Sequence, residues 1–333
     1  MKTIYLIDGS SMLATNFFAT PPNAYKFAKT DEDKAEAIKK ALHTSDGRYT
    51  NGVLGMVKAI LKLHNENEIN HLAVCWDDPR EDRRALYSGY KSSRKKKPQE
   101  LEEQFSLMKK VLADMGVPQF TADRFEADDL IGTFSSVLSK LHKVVIITKD
   151  RDALQLINNN STVWLGVKPK QNTEMLNALM DIDDRLKYAP FGYFPFTPEA
   201  FQILYQLKNP KQLIDLKGLS GDTSDDIPGV TGIGEKTAIP LLQNFNTIEE
   251  FYEAVEPLSI KEAKELLKSK SVKRINPEKM LEHKDIALLS KTLASIETDI
   301  PVYNKKTIDD FVFTLNKEKM YGVFEDLEFR SLL

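Results

Sequence analysis

Three short apolar runs, Thr3–Ile7, His71–Trp76 and Lys143–Thr148, each end within two residues of an aspartate: Asp8, Asp77 and Asp150. Runs this short, bounded by polar residues, read as buried strands. Between them apolar residues recur at helical spacing: Val53, Val57, Ile60 and Leu61; Leu101, Phe105, Met108, Leu112 and Met115; Leu130, Ile131, Phe134, Val137, Leu138 and Leu141. Strands alternating with helices predict an α/β fold with a mainly parallel central sheet flanked by helices. In such sheets ligands sit in the crevice beyond the strand C-termini. The chain is therefore constrained to gather carboxylates at one sheet edge.

The wider acidic set is Asp8, Asp77, Glu126, Asp128, Asp129, Asp150, Asp152, Asp222 and Asp225, each beside a strand end, a helix start or a tight loop. Brought together, these groups repel and raise one another's pKa values unless cations neutralise them. All-oxygen sites suit Mg²⁺ or Mn²⁺, and paired ions of this kind serve in-line attack on phosphodiesters. A single aspartate at a strand end or N-cap is commonly structural, and Asp129 and Asp152 each carry that alternative.

Lys+Arg 46 against Asp+Glu 49 gives a net charge of −3, so any attraction to a polyanion has to be local. Cys75 is the only cysteine, which excludes a disulfide framework and a Cys-rich zinc cluster and fits a reducing compartment. Cys75 and Trp76 lie on a predicted buried strand and read as core. Asp8 interrupts the first apolar run, leaving no signal peptide or membrane span, and a cytoplasmic protein is expected.

Residues 83–97 contain Arg83, Arg84, Lys91, Arg94, Lys95, Lys96 and Lys97 with Tyr87 and Tyr90 and no acid. This reads as a phosphate-facing segment with stacking rings, although Lys95 to Lys97 fit a solvated charge run equally well. Pro21–His43 reads as a peripheral insertion. After about Pro190 helices dominate, which divides the chain into an α/β core, 1–190, with a basic arch at about 80–118, and a helical region, 191–333. The run from Gly229 to Thr237 is not a Walker loop, because Glu235 separates Gly234 from Lys236 and no strand precedes it. It reads as a helix-hairpin-helix turn within about 218–246, where Gly232, Gly234, Lys236 and Thr237 would meet a nucleic-acid phosphate. A plain glycine-rich helix connection is the alternative.

Val-Cys-Trp-Asp77, Phe-Glu126-Ala-Asp128-Asp129, Thr-Lys-Asp150-Arg-Asp152, Gly-Asp222-Thr-Ser-Asp225 and the glycine run together resemble the 5′ nuclease family. That family includes phage 5′-3′ exonucleases, flap endonucleases and the N-terminal nuclease region of bacterial DNA polymerase I. The likeness runs from Ile4 to about Asn246 and more weakly to the end, where Leu327 to Leu333 looks like the junction to a polymerase. It implies a PIN-like core and a metal-dependent 5′-3′ exonuclease and flap endonuclease acting on DNA ends, flaps and forks in replication or repair.

By position in that family, Asp8, Asp77, Glu126 and Asp128 match one metal cluster and Asp150, Asp152, Asp222 and Asp225 a second, with Asp129 between them. Two Mg²⁺ ions are implied, replaceable by Mn²⁺, with K⁺ at the hairpin. Lys91 matches the arch lysine over the scissile phosphate, Arg94 its helper and Tyr90 a base-stacking ring. Arg83 matches a more distant DNA-contacting arginine, and Lys217 coincides with a lysine of phage members as a DNA backbone or phosphate contact, a plain surface lysine being the alternative. A monomer is expected. Asp226 stands where the family most often has Asn, placing an extra charge beside the second cluster, and Arg151 replaces a frequent lysine. A PIN-like ribonuclease and a non-cutting DNA-junction binder are the rival readings.

Overall fold

The computed structural model describes residues 1–78, 81–179, 192–272 and 274–333. Six strands form one sheet: β1 (Thr3–Asp8), β2 (Leu72–Trp76), β3 (Gln119–Thr121), β4 (Lys143–Thr148), β5 (Ser161–Gly166) and β6 (Tyr193–Phe196), in the order β3-β2-β1-β4-β5-β6. All neighbours are parallel except β5 and β6. The register sets Asp8 opposite Cys75 and Ile7 opposite Ile147, so Asp8, Asp77 and Asp150 emerge at the same edge.

The interiors of β1, β2 and β4 are apolar because both sheet faces are covered. On one face Ile4, Leu6, Cys75 and Ile146 pack against helix Ala127–Leu138. On the other, Ile7, Val74, Trp76 and Ile147 meet helices Gly9–Ala19, Asn51–Asn67 and Gln99–Asp114. Cys75 and Trp76 are core, as the sequence indicates, and the Trp76 indole N–H donates to Gln119 Oε1 at 2.9 Å.

Several elements differ from the sequence reading. Helix Ala127–Leu138 stops before Leu141, which is 73% exposed in the following turn. The basic stretch begins as helix Glu81–Leu86 and continues through turns, whereas residues 99–114 form a helix that buries Leu101, Met108, Val111 and Leu112. Only the part before Gln99 is thus free to span the edge. The insertion forms two helices, Asn23–Phe27 and Asp31–Ile38, the second burying Ala37 and Ile38.

The boundary expected at 190/191 lies outside the described residues, and β6 follows it, so the sheet extends past the point where strand signals fade. The helical region shares the first core: Leu213, Leu241 and Phe251 belong to the same apolar cluster as Leu6. Later still, Phe313 N donates to Asn70 O at 2.9 Å, and Phe324 and Phe329 pack on the opposite face. Among the described residues no helix is long and apolar enough to cross a membrane.

Gly132 marks where the late segment docks on the helix behind the site. A Cβ there would lie 2.6 Å from Glu297 O and 2.6 Å from Ile296 Cγ2. Gly132→Ala should therefore lower unfolding free energy by about 1–3 kcal/mol through overpacking, measured by urea denaturation. An unchanged midpoint would contradict that docking.

Candidate metal centre and nucleic-acid interface

Local chain geometry places most of the carboxylates. Asp8 ends β1 and caps helix Gly9–Ala19, accepting from Ser11 N at 2.9 Å and from the Thr148 hydroxyl at 2.9 Å. Asp77 follows β2 and accepts from Ala127 N at 2.9 Å, tying that strand to the helix that carries Asp128. Glu126 caps this helix, and donor oxygens of Glu126, Asp128 and Asp129 all lie within 4.8 Å of one another. Asp150 follows β4 and accepts from Asp152 N at 2.9 Å, starting the short helix Arg151–Leu156. Asp222 and Asp225 sit on a loop closed by paired backbone hydrogen bonds between Asp222 and Ile227 at 2.9 and 2.8 Å.

The second set, Asp150, Asp152, Asp222 and Asp225, lines one open groove of about 790 Å³ together with Arg94 and Lys217. Cations of the chain hold them together. Lys91 Nζ lies 2.5 Å from Glu126 and 3.7 Å from Asp225, linking the sets directly. Burial alone would lower the Lys91 ammonium, but Glu126, Tyr90 and Asp225 reverse this and hold it charged. Arg94, half-exposed, binds Asp225 at 2.6 Å. The backbone is committed to this arrangement: Lys91 N donates to Asp225 O at 2.9 Å with Lys91 at φ 53°.

Four of the residues singled out in the sequence are engaged by protein partners. Arg83, matched to a DNA contact, is 4% exposed and lies beneath the acids, donating to Glu126 at 2.8 Å, Asp129 at 3.1 Å and Ser295 O at 2.7 Å. Tyr90, matched to a stacking ring, is 2% exposed; its hydroxyl accepts from Arg83 at 3.0 Å, and burial pushes its phenol up to about 12. Lys217 bridges Asp152 and Asp222 because the last turn of helix Gln212–Ser220 faces the Asp152 helix. Burial acts to raise Asp222, yet the Lys217 and Ser224 hydrogen bonds hold it below the usual carboxylate range. Asp129 is fully buried with both oxygens used: one takes Arg83 and Glu297 N at 2.9 Å, the other takes Glu126 N at 3.1 Å.

Asp226 turns away from the second set. It accepts from Ser93 N at 2.8 Å, and that backbone hydrogen bond lowers its pKa, so its charge anchors the basic segment. The glycine run joins helix Gln212–Ser220 to helix Glu235–Phe245, with Gly234 at the N-cap of the second. Gly229 is needed there, since at φ 62° a Cβ would fall 2.2 Å from Gly221 N. Gly232 also has positive φ, 83°, and Lys236 and Thr237 occupy the first turn of the following helix.

The chain matches the family described as "5′-3′ exonuclease, N-terminal resolvase-like domain" over residues 3–183 and "5′-3′ exonuclease, C-terminal SAM fold" over residues 208–318. It is 32% identical over 315 residues to a 5′-3′ exonuclease of Halalkalibacterium halodurans, covering 93% of this chain and 89% of that protein. The chain belongs to the 5′-3′ exonuclease family. It is also 34% identical over 335 residues to DNA polymerase I of Bacillus caldotenax, covering 100% of this chain but only 32% of that protein, so it spans about a third of such relatives. The zinc-bound T5 5′-exonuclease shares the fold, with TM-score 0.59, 16% identity and 98% of each chain covered.

In this exonuclease-family chain the donor set fits a hard divalent cation. It is all oxygen, and buried Asp128 Oδ1 has no hydrogen-bond partner among the described residues. Burial and then the Asp77 carboxylate push Asp8 up to about 7, and burial beside Asp129 raises Asp128 well above its ordinary value. An unfolded aspartate ionises near 4. Between there and about pH 7 the folded chain therefore keeps a proton on Asp8 that the unfolded chain has lost, and stability falls as pH rises. In EDTA, wild type should lose about 1–3 kcal/mol relative to Asp8→Asn between pH 4 and pH 7, and Mg²⁺ should restore it. Parallel stability profiles for the two proteins would contradict the shift.

Proposed function

We propose that this chain is a structure-specific 5′ nuclease, a 5′-3′ exonuclease and flap endonuclease that hydrolyses DNA phosphodiesters in replication or repair. The observation that carries this reading is Lys91 spanning the two carboxylate sets, paired with Glu126 of one and Asp225 of the other, with the second set lining an open groove. Asp8, Asp77, Glu126 and Asp128 would hold one Mg²⁺ and Asp150, Asp152, Asp222 and Asp225 the other, with Mn²⁺ able to substitute. Such ions supply an activated water and offset charge on the phosphoryl oxygens.

The chain's own residues do the rest. Asp129 and Arg83 position Glu126, because Arg83 donates to its carboxylate and Asp129 accepts from its backbone N–H. Tyr90 supports the same layer. Lys91 and Arg94 sit where a phosphodiester lying across both sets would pass, and their charge offsets that of the phosphate. Gly232, Gly234, Lys236 and Thr237 would hold a backbone phosphate of the duplex at the start of helix Glu235–Phe245.

The test is single-turnover cleavage of a 5′-labelled flap, a blunt duplex and a single-stranded RNA, each with Mg²⁺ and with EDTA. Cutting near the flap junction in Mg²⁺ alone is expected. Lys91→Ala should slow that step about 10²-fold, the scale of one removed charge-stabilising group, and Asp152→Asn should impair cleavage more than flap binding. Preferred degradation of RNA would favour the ribonuclease reading, and flap binding without cutting the junction-binder reading.

A further inference from the structure

A second groove, of about 460 Å³, opens at the ends of β4 and β5 and is lined by Lys149, Arg151, Gly166, Lys168 and Gln171. It shares Lys149 and Arg151 with the carboxylate groove. From these observations we infer that Lys149, Arg151 and Lys168 form a phosphate subsite that carries the DNA backbone away from the metal groove across the sheet end. The inference rests on the nuclease reading and adds a binding track to it.

The register pairs Thr148 with Leu165, which sets Lys149 beside Gly166. The lysine stem lies across that glycine: a Cβ on Gly166 would come 2.6 Å from Lys149 Cγ and 3.0 Å from its Cε. The missing side chain is what lets the lysine lie along the groove. Lys168 occupies the N-cap of helix Pro169–Ala178, so the positive end of that helix adds to the same field. Among the described residues Lys149, Arg151 and Lys168 have no carboxylate partner, whereas nearby Lys170 lies 3.9 Å from Glu174. Unpaired cations gathered along one groove, in a chain of net charge −3, are the local attraction that a polyanion requires. Leu165 and Val167 give the groove an apolar floor suited to sugar rings. Repeating phosphates suit this place better than a single small anion, because the groove shares Lys149 and Arg151 with the one that would hold the scissile bond.

The test is flap-DNA binding by fluorescence anisotropy in EDTA, using the full chain at 50–200 mM KCl. Each phosphate contact contributes about 0.9 to the slope of log K against log salt. Lys149→Gln with Lys168→Gln should flatten the slope by about 1.8, and the paired Arg substitutions should preserve it. Gly166→Ala removes no charge but displaces the Lys149 stem, and should flatten the slope by about 0.9. An unchanged slope in the double Gln variant, or an equal loss from Lys170→Gln, would overturn the subsite and leave the nuclease reading standing. Wild type showing no salt-dependent flap binding would overturn both.

Discussion

Crowded like charge at one edge of a parallel sheet is the constraint from which the rest follows. Strands that end together deliver Asp8, Asp77 and Asp150 to the same place, and nothing in the fold can separate them. The chain answers with its own cations: Arg83 below, Lys91 between, Arg94 and Lys217 at the second set. Removing one partner of the buried pairs that Arg83 makes with Glu126 and Asp129 would leave the other uncompensated, which typically costs about 3–5 kcal/mol. The acidic edge is therefore held together by these pairs.

That arrangement ties distant segments together. Arg83 reaches Ser295 O and Asp129 accepts from Glu297 N, so the layer under Glu126 is completed by residues far along the chain. Gly132 and Gln155 reinforce the same docking, the latter donating to Ala294 O at 3.0 Å and accepting from Ile296 N at 2.9 Å. The basic segment is held in turn by Asp225 and Asp226, through Lys91 N and Ser93 N. A change in the loop 222–227 would reach the other carboxylate set through Lys91.

The sequence made the central strands and the acidic residues legible because both are set locally. Doubly covered strands read as unbroken apolar runs, and Asp8 and Asp150 are fixed by strand ends and helix starts. β3, β5 and β6 escaped because β3 is three residues long with none buried, β5 opens with Ser161 and Thr162, and β6 is an edge strand containing Pro195. Arg83 and Tyr90 read as ligand-facing groups, since charge and aromaticity alone do not reveal burial, and the carboxylate pairing of Lys217 is equally silent in the sequence. Their positions depend on the segment near Ser295 and the helix end at Lys217, which no local pattern encodes.

The most direct test of the central claim, that the acidic edge is a cation-binding centre held open by the chain's own cations, is Mn²⁺ titration by isothermal calorimetry at pH 7 in two buffers of different ionisation enthalpy. The account predicts two bound ions with net proton release, because Asp8 and Asp128 carry raised pKa values and ionise when a cation arrives. Asp152→Asn should weaken one ion and leave the other. Absence of binding, or binding with no proton release, would contradict the account.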